Sequence, residues 1–135
     1  FLIYLFSGIL GNAASFAFND LGVLSGGAST SLFGLFGALF ILGFHFKNNS
    51  QVRQLIRHYM LFIVISFVFG LTDTSVDIWG HLGGIVGGLL IGNIIGLPQK
   101  VTNYSIHQKI LSTLVFGFLL IICVLLGLKN YGLLV

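Results

Sequence analysis

Long, nearly continuous runs of apolar residues, separated by short polar segments, divide this sequence into five parts. A helix that crosses the hydrocarbon core of a membrane needs about 20 mostly apolar residues. The apolar runs do not alternate with a period of two, which favours helices over the strands of a membrane barrel. We therefore predict an all-α, polytopic transmembrane bundle that forms one domain over residues 1–135. Its five spanning helices are expected at about residues 1–18, 29–46, 59–71, 78–97 and 110–128.

The composition agrees with residence in a membrane. The chain is 56% hydrophobic and only 7% charged, whereas about 25% of the residues in soluble globular domains are charged. Such a chain has too few charges to cover a surface that faces water. Because it begins at Phe1, inside an apolar run, we expect an internal piece of a longer protein. We expect a lipid bilayer around it, no nucleic-acid partner and no cofactor.

The basic residues predict how the bundle is oriented. By the positive-inside rule, the side of the membrane with more Lys and Arg in its short loops is cytoplasmic. The second and fourth spans then both begin near the extracytoplasmic face, and only Lys129 departs from the pattern. Five of the six basic residues lie in the two segments that topology places on the cytoplasmic side: Lys47, Arg53, Arg57, Lys100 and Lys109.

Ser29 is the first residue of the second predicted span and His81 lies three residues into the fourth, so this topology places them at similar depth. An ionisable residue inside a span is costly and is by default a functional hypothesis. Zinc needs three or four ligands, and the other three histidines belong to the cytoplasmic segments or their edges, so we expect no metal site. A serine needs an adjacent base to become a nucleophile. The unpaired amides at a helix N-terminus can also receive an oxyanion.

Glycines in the fourth span would allow the two helices to meet. Residues four apart share one helix face, and a face without side chains permits close backbone approach. His81 lies at the edge of this stripe, and the second span offers Gly34 and Gly37 as a small surface of its own. For the glycines alone, simple helix packing is the favoured interpretation. The stripe comprises Gly80, Gly84, Gly88, Gly92 and Gly96.

Four segments resemble the rhomboid intramembrane serine proteases. Gly-Ala-Ser-Thr at 27–30, followed by Leu-Phe-Gly-Leu-Phe-Gly at 32–37, is similar to their GxSG helix. Gly-His-Leu-Gly-Gly-Ile-Val-Gly-Gly at 80–88 is similar to their histidine helix, and Ser-Gly-Ile-Leu-Gly-Asn at 7–12 to their third transmembrane helix. The segments occur in the family's order and spacing over nearly the whole chain.

The resemblance implies a Ser-His dyad that cleaves transmembrane segments of membrane proteins. Ser29 would attack the scissile carbonyl, its backbone N–H would line the oxyanion hole, and His81 would be the general base. Phe33 would pack against the histidine ring. The site would lie near the extracytoplasmic face of a bacterial plasma membrane. The supporting glycines would be Gly27, Gly37, Gly84 and Gly88.

Two departures from the family pattern affect this interpretation. Thr30 stands where a glycine usually follows the serine. The family's first two transmembrane helices, which supply His and Asn to the oxyanion hole, are not in this sequence, so we expect the piece alone to be inactive. The five spans would be the family's helices three to seven, and the short third span its helix five, a proposed lateral gate.

Two other functions stay open. A catalytically inactive rhomboid-like protein would bind transmembrane clients without cutting them, and Thr30 is the feature that favours it. A small carrier could use His81 and Asn93, but carriers often contain internal repeats, and the sequence has none. Retention of both Ser29 and His81 favours the protease.

Overall fold

A computed structural model describes residues 1–20, 28–72, 76–96 and 105–133 of the chain. All the regular structure in these ranges is helical, as the apolar runs predicted. Three of the helices are long and apolar enough to cross a membrane, and the other two described helices are apolar and 17 residues long. The helices in these ranges are α1 (Leu2–Phe18), α2 (Ser29–His45), α3 (Ser50–Thr72), α4 (Ile78–Ile95) and α5 (Ile106–Asn130).

The helix bounds differ most from the prediction in α3, which begins at Ser50 instead of residue 59. Its start is capped by Asn49, whose Oδ1 accepts the N–H of Gln51 at 3.0 Å and that of Val52 at 3.3 Å. Hydropathy marks the part of a helix that suits a bilayer, whereas a capped helix continues through polar residues. Helix α3 is therefore longer than the predicted third span, and its segment Ser50–Gly70 is long and apolar enough to cross a membrane.

The other helix ends lie near the predicted ones. Helix α5 begins at Ile106 instead of residue 110, because the Ser105 hydroxyl accepts the His107 N–H at 3.3 Å and caps the helix. Helix α4 ends before Gly96, which has a φ of 71° that favours glycine. Residue 97, the predicted end of that span, lies outside the described residues.

Helix α4 is the centre of the bundle and packs along both α1 and α2. Helix α5 packs along α1 and α4, while α3 contacts mainly α2. The interior consists largely of small residues; one buried cluster contains Ala13, Ala14, Ala17 and Cys123. Large apolar side chains instead point outward, as Phe118 does with 64% of its surface exposed. This arrangement suits a lipid environment, where helix association depends on close packing between small residues.

The glycines of α4 form two contact faces instead of one. A Cβ atom at Gly84 or Gly88 would overlap the backbone of α2. A Cβ at Gly83 would lie 2.9 Å from the Cα of Gly11 in α1, and one at Gly87 would lie 3.0 Å from the Cα of Ser7. Because these glycines have no side chains, the backbone of α4 can pack directly against the backbones of α1 and α2.

Candidate active site

Ser29 and His81 meet at one end of the bundle. Ser29 is the first residue of α2, and His81 is in the first turn of α4, 52 residues later. The Ser29 Oγ and the His81 Nε2 are 3.0 Å apart, a hydrogen-bonding distance. The serine is exposed at the helix end, whereas the imidazole is only 6% exposed. The pair thus combines an accessible hydroxyl with an imidazole held inside the protein.

Phe33 fixes the plane of the histidine ring. It lies one turn after Ser29 and is 2% exposed. Its ring stacks on the imidazole with centroids 4.0 Å apart and an angle of 13° between the planes. A nearly parallel stack restrains rotation of the imidazole about its side-chain torsions, because tilting the ring would bring it into Phe33. The Nε2 atom is therefore kept directed toward the serine.

Aromatic side chains of α3 surround Phe33 on its other sides. Phe62 and Phe67 lie with their ring centroids 6.3 and 6.1 Å from that of Phe33, within the range of aromatic pair contacts. Phe36 of α2 extends the cluster to Tyr59, at 4.7 Å. No sequence pattern singled out these α3 residues, although aromatics at positions 59 and 62 share a helix face. They connect α3 to the candidate site.

The supporting glycines lie at the contact between α2 and α4. A Cβ at Gly37 would overlap the carbonyl oxygen of Ile85, and one at Gly84 would overlap that of Thr30. Gly88 in turn faces Gly34. Gly37 and Gly84 therefore each oppose backbone of the other helix rather than one another. Gly27 lies outside the described residues.

Thr30 points into the bundle and is only 3% exposed. Its methyl group occupies the space where a Cβ of Gly11 would be, and its Oγ1 would be 3.1 Å from a Cβ at Gly80. Helices α1 and α4 thus each present a glycine to this side chain. The β-branched side chain of Thr30, next to Ser29, is accommodated between these two glycines.

An acidic residue close to the histidine was missed as a site residue. Asp77 is the N-cap of α4, and its Oδ1 accepts the Gly80 N–H at 2.7 Å. The same oxygen accepts a hydrogen bond from the Asn19 Nδ2 at 3.0 Å. An acid four residues before His81, at the start of a predicted span, carries a capping signal that could have identified it. The partner Asn19 is 58 residues away and has no local signal.

Within the described ranges, no three His, Cys, Asp or Glu side chains cluster closely enough to hold a metal ion. In α2, the first hydrogen bond between described residues joins the Leu32 N–H to the Ala28 carbonyl at 3.0 Å. The Ser29 amide lies before that bond in α2, and the residues that precede Ala28 lie outside the described ranges.

Fold and geometry together define an all-helical membrane protein in which a serine hydroxyl and a buried histidine are hydrogen-bonded across two closely packed helices. The family model described as Rhomboid domain matches residues 1–98 of the chain. The chain belongs to the rhomboid family.

Several known proteins are similar to this chain. The Rhomboid protease GluP of Bacillus subtilis (strain 168) is 33% identical over 132 residues, covering 98% of this chain and 24% of that protein. RHOMBOID-like protein 7 of Arabidopsis thaliana is 35% identical over 97 residues, covering 69% of this chain and 29% of that protein. Inactive rhomboid-related protein 2 of Caenorhabditis elegans is 23% identical over 133 residues, covering 93% of this chain and 38% of that protein. The chain thus spans less than two fifths of each of these relatives. No solved structure matches it.

Proposed function

We propose that this chain carries the catalytic dyad of an intramembrane serine endopeptidase, with Ser29 as nucleophile and His81 as general base. The observation that carries the proposal is the 3.0 Å distance between the Ser29 Oγ and the His81 Nε2. Stacking on Phe33 supports it, because a base must be oriented as well as close. Membership of the rhomboid family supports it independently of the geometry.

The proposed reaction proceeds through an acyl-enzyme. The Ser29 Oγ attacks the scissile carbonyl carbon while the His81 Nε2 takes the hydroxyl proton. The imidazolium then returns that proton to the leaving amine nitrogen as the C–N bond breaks. Water then attacks the resulting ester while the His81 Nε2 takes a proton from it. The imidazolium returns that proton to the Ser29 Oγ as the ester C–O bond breaks and the new carboxyl terminus leaves. The Ser29 amide stabilises the oxyanion, and loss of one such donor costs about 10²–10³ in rate.

The proposed substrates are transmembrane segments of other membrane proteins. Helix α3 has little contact with α4 and is held to α2 largely by the aromatic cluster around Phe33 and Phe36. A helix so weakly attached can move aside within the bilayer and admit a substrate segment. This proposal gives α3 the role of the lateral gate that the resemblance implied.

The proposed site lies near the extracytoplasmic face of a bacterial plasma membrane. Ser29 begins α2, whereas Lys47 follows its other end, where Arg53 and Arg57 also lie on α3. Lys109 is near the start of α5, at this same basic end of the bundle. The positive-inside rule assigns the basic end to the cytoplasm.

The direct test uses the full-length protein that contains this chain. A serine-directed fluorophosphonate should label Ser29, and Ser29→Ala and His81→Ala should each abolish cleavage of a membrane-anchored reporter. Ser31→Ala is the matched control, because Ser31 is a buried serine of the same helix that faces Gly8 in α1. It should keep both labelling and cleavage. Normal cleavage by folded Ser29→Ala protein would refute the proposal.

The second candidate function is a catalytically inactive protein that binds transmembrane clients. It is favoured by the similarity to Inactive rhomboid-related protein 2 and by Thr30 in the position after the serine. On this alternative, a client helix would co-purify with the protein without any product, and Ser29→Ala would leave that binding unchanged. Product formation that depends on Ser29 excludes it.

A further inference from the structure

The carboxylate of Asp77 joins α4 to α1 at the end of the bundle that holds His81. Its Oδ1 accepts hydrogen bonds from the Gly80 N–H of its own helix and from the Asn19 Nδ2, which follows α1. The Asn19 Nδ2 also donates to the Ser15 Oγ at 2.8 Å, which holds the amide on the last turn of α1. The two helix ends are therefore linked by directional bonds.

These bonds act on the turn that carries the histidine. The His81 N–H donates to the Asp77 carbonyl at 3.0 Å, so both the backbone and the carboxylate of Asp77 hold the first turn of α4. Next to them, the rings of Phe18 and Trp79 are in contact, with centroids 5.0 Å apart. The position of His81 is consequently tied to the end of α1 as well as to α2.

Glycine contacts alone do not fix that position. A glycine face permits close approach, but it has no side chains that interlock with the neighbour and set the register. A hydrogen bond has a preferred direction and weakens steeply when it is bent. The bond between Asn19 and Asp77 can therefore fix how far α4 is turned or shifted relative to α1. A shift of about 1 Å at a reacting group can cost about 10²-fold in rate.

We propose that Asn19 and Asp77 form an interhelical clasp that positions His81 for proton transfer from Ser29. Both are positioning residues, since neither touches the reacting atoms. The inference rests on the proposed function, because it assigns a role in the same reaction. The inference goes beyond the proposed function because it adds α1 to the parts of the chain on which the geometry of the dyad depends.

The polarity of the clasp can be reversed, which gives a sharp test. Asn19→Asp would place a second carboxylate about as close to the first as the amide is now, at 3.0 Å, and would remove the donor. Asp77→Asn keeps a capping oxygen, since Asn caps a helix about as well as Asp. In the double variant N19D/D77N, the amide introduced at position 77 could cap Gly80 with its oxygen and donate its N–H to the carboxylate introduced at position 19. The clasp would be restored with donor and acceptor exchanged.

The expected results come from kinetics on the full-length protein in proteoliposomes. Asn19→Asp should lower kcat by about 10- to 100-fold with little change in KM. Asp77→Asn should lower kcat less than Asn19→Asp does, because its amide oxygen can still accept from Gly80 and Asn19. The double variant should recover most of the kcat that Asn19→Asp loses. Asn130→Ala is the matched control, because the Asn130 Nδ2 donates to the Ala17 carbonyl at 2.8 Å and links α5 to α1 without involving α4. It should lower Tm yet preserve kcat.

A spectroscopic readout separates this proposal from the protease proposal. The ring signals of His81, in protein with isotope-labelled histidine and assigned with His81→Ala, should move in Asn19→Asp and return in the double variant. If wild-type protein cleaves no substrate but these signals move and return, the protease proposal fails, and with it the role of the clasp in proton transfer, while the positioning of the His81 ring by Asn19 and Asp77 stands. Unmoved signals together with wild-type kcat in Asn19→Asp would overturn the clasp. A loss of kcat in Asn130→Ala as large as that in Asn19→Asp would also overturn the clasp.

Discussion

Gly88→Ala tests whether backbone contact between α2 and α4 holds the dyad together. A Cβ at this position would overlap the carbonyl oxygen of Gly34 and lie 2.8 Å from its Cα. Carbon atoms in contact are normally about 3.5–4.0 Å apart. The two helices must therefore separate locally by about 1 Å. Both partners are backbone atoms, so no side chain can rotate away to absorb the added methyl group.

The expected magnitude follows from two opposing effects. Replacing a helical glycine by alanine stabilises an unhindered helix by about 1 kcal/mol, whereas overpacking a close contact costs about 1–3 kcal/mol. We expect a net loss in the free energy of unfolding, and a larger effect on cleavage. If α4 moves by about 1 Å, the Ser29–His81 pair leaves hydrogen-bonding range, and the rate falls by about 10²-fold.

The assay has a matched control within the chain. A Cβ at Gly117, on the outer face of α5, would meet no atom within 4 Å. Gly117→Ala should therefore keep full reporter cleavage and fluorophosphonate labelling, with an unchanged or higher Tm. Gly88→Ala should lose both activities while the protein still folds in detergent. Wild-type cleavage and Tm in Gly88→Ala would show that the α2–α4 contact does not set the geometry of the site.

Three further predictions concern the immediate surroundings of the dyad. Phe33→Leu removes the ring that stacks on His81 and should lower kcat by about tenfold for a loss of about 1.4 kcal/mol of transition-state stabilisation; Phe118→Leu on the exposed face of α5 is the control, and equal activity of the two variants would contradict the stacking role. Cleavage should be highest where His81 is neutral and fall on acidification, because an imidazolium cannot accept the Ser29 proton; a flat profile of kcat/KM against pH would count against His81 as the base. Thr30→Gly should retain cleavage but lower the free energy of unfolding by about 1–2 kcal/mol, and with it the Tm, since it loses a buried methyl group and gains a helical glycine. A higher Tm would show that Thr30 is strained between Gly11 and Gly80.

The sequence contained much of the helical layout and the two central side chains. Continuous apolar runs located all five described helices, because the bilayer imposes a minimum apolar length on any spanning helix. The distribution of basic residues placed Ser29 and His81 at matched depth before any geometry was known. The prediction omitted the polar first part of α3, which begins at Ser50, because hydropathy does not detect the part of a helix that lies in a polar stretch of sequence.

Other parts of the site depend on which elements are neighbours, and no local pattern contains that information. The glycine spacing of α4 showed that close contacts were available, but not that Gly83 and Gly87 face α1 while Gly84 and Gly88 face α2. Contacts of α3 aromatics with Phe33 likewise require knowing that α3 lies against α2. The bond from Asn19 to Asp77 joins residues 58 positions apart and follows only from the packed arrangement.

The small-residue interior has a consequence for conformational entropy. Glycine and alanine side chains lose essentially no rotamer freedom when they are buried, whereas a long side chain loses up to about 2 kcal/mol. Within a bilayer, no hydrophobic gain between helices compensates for such losses. A frame of α1, α2 and α4 in backbone contact can therefore become rigid without ordering many flexible groups. What remains to be ordered around Ser29 is a short set of side chains, headed by the stacked rings of Phe33 and His81.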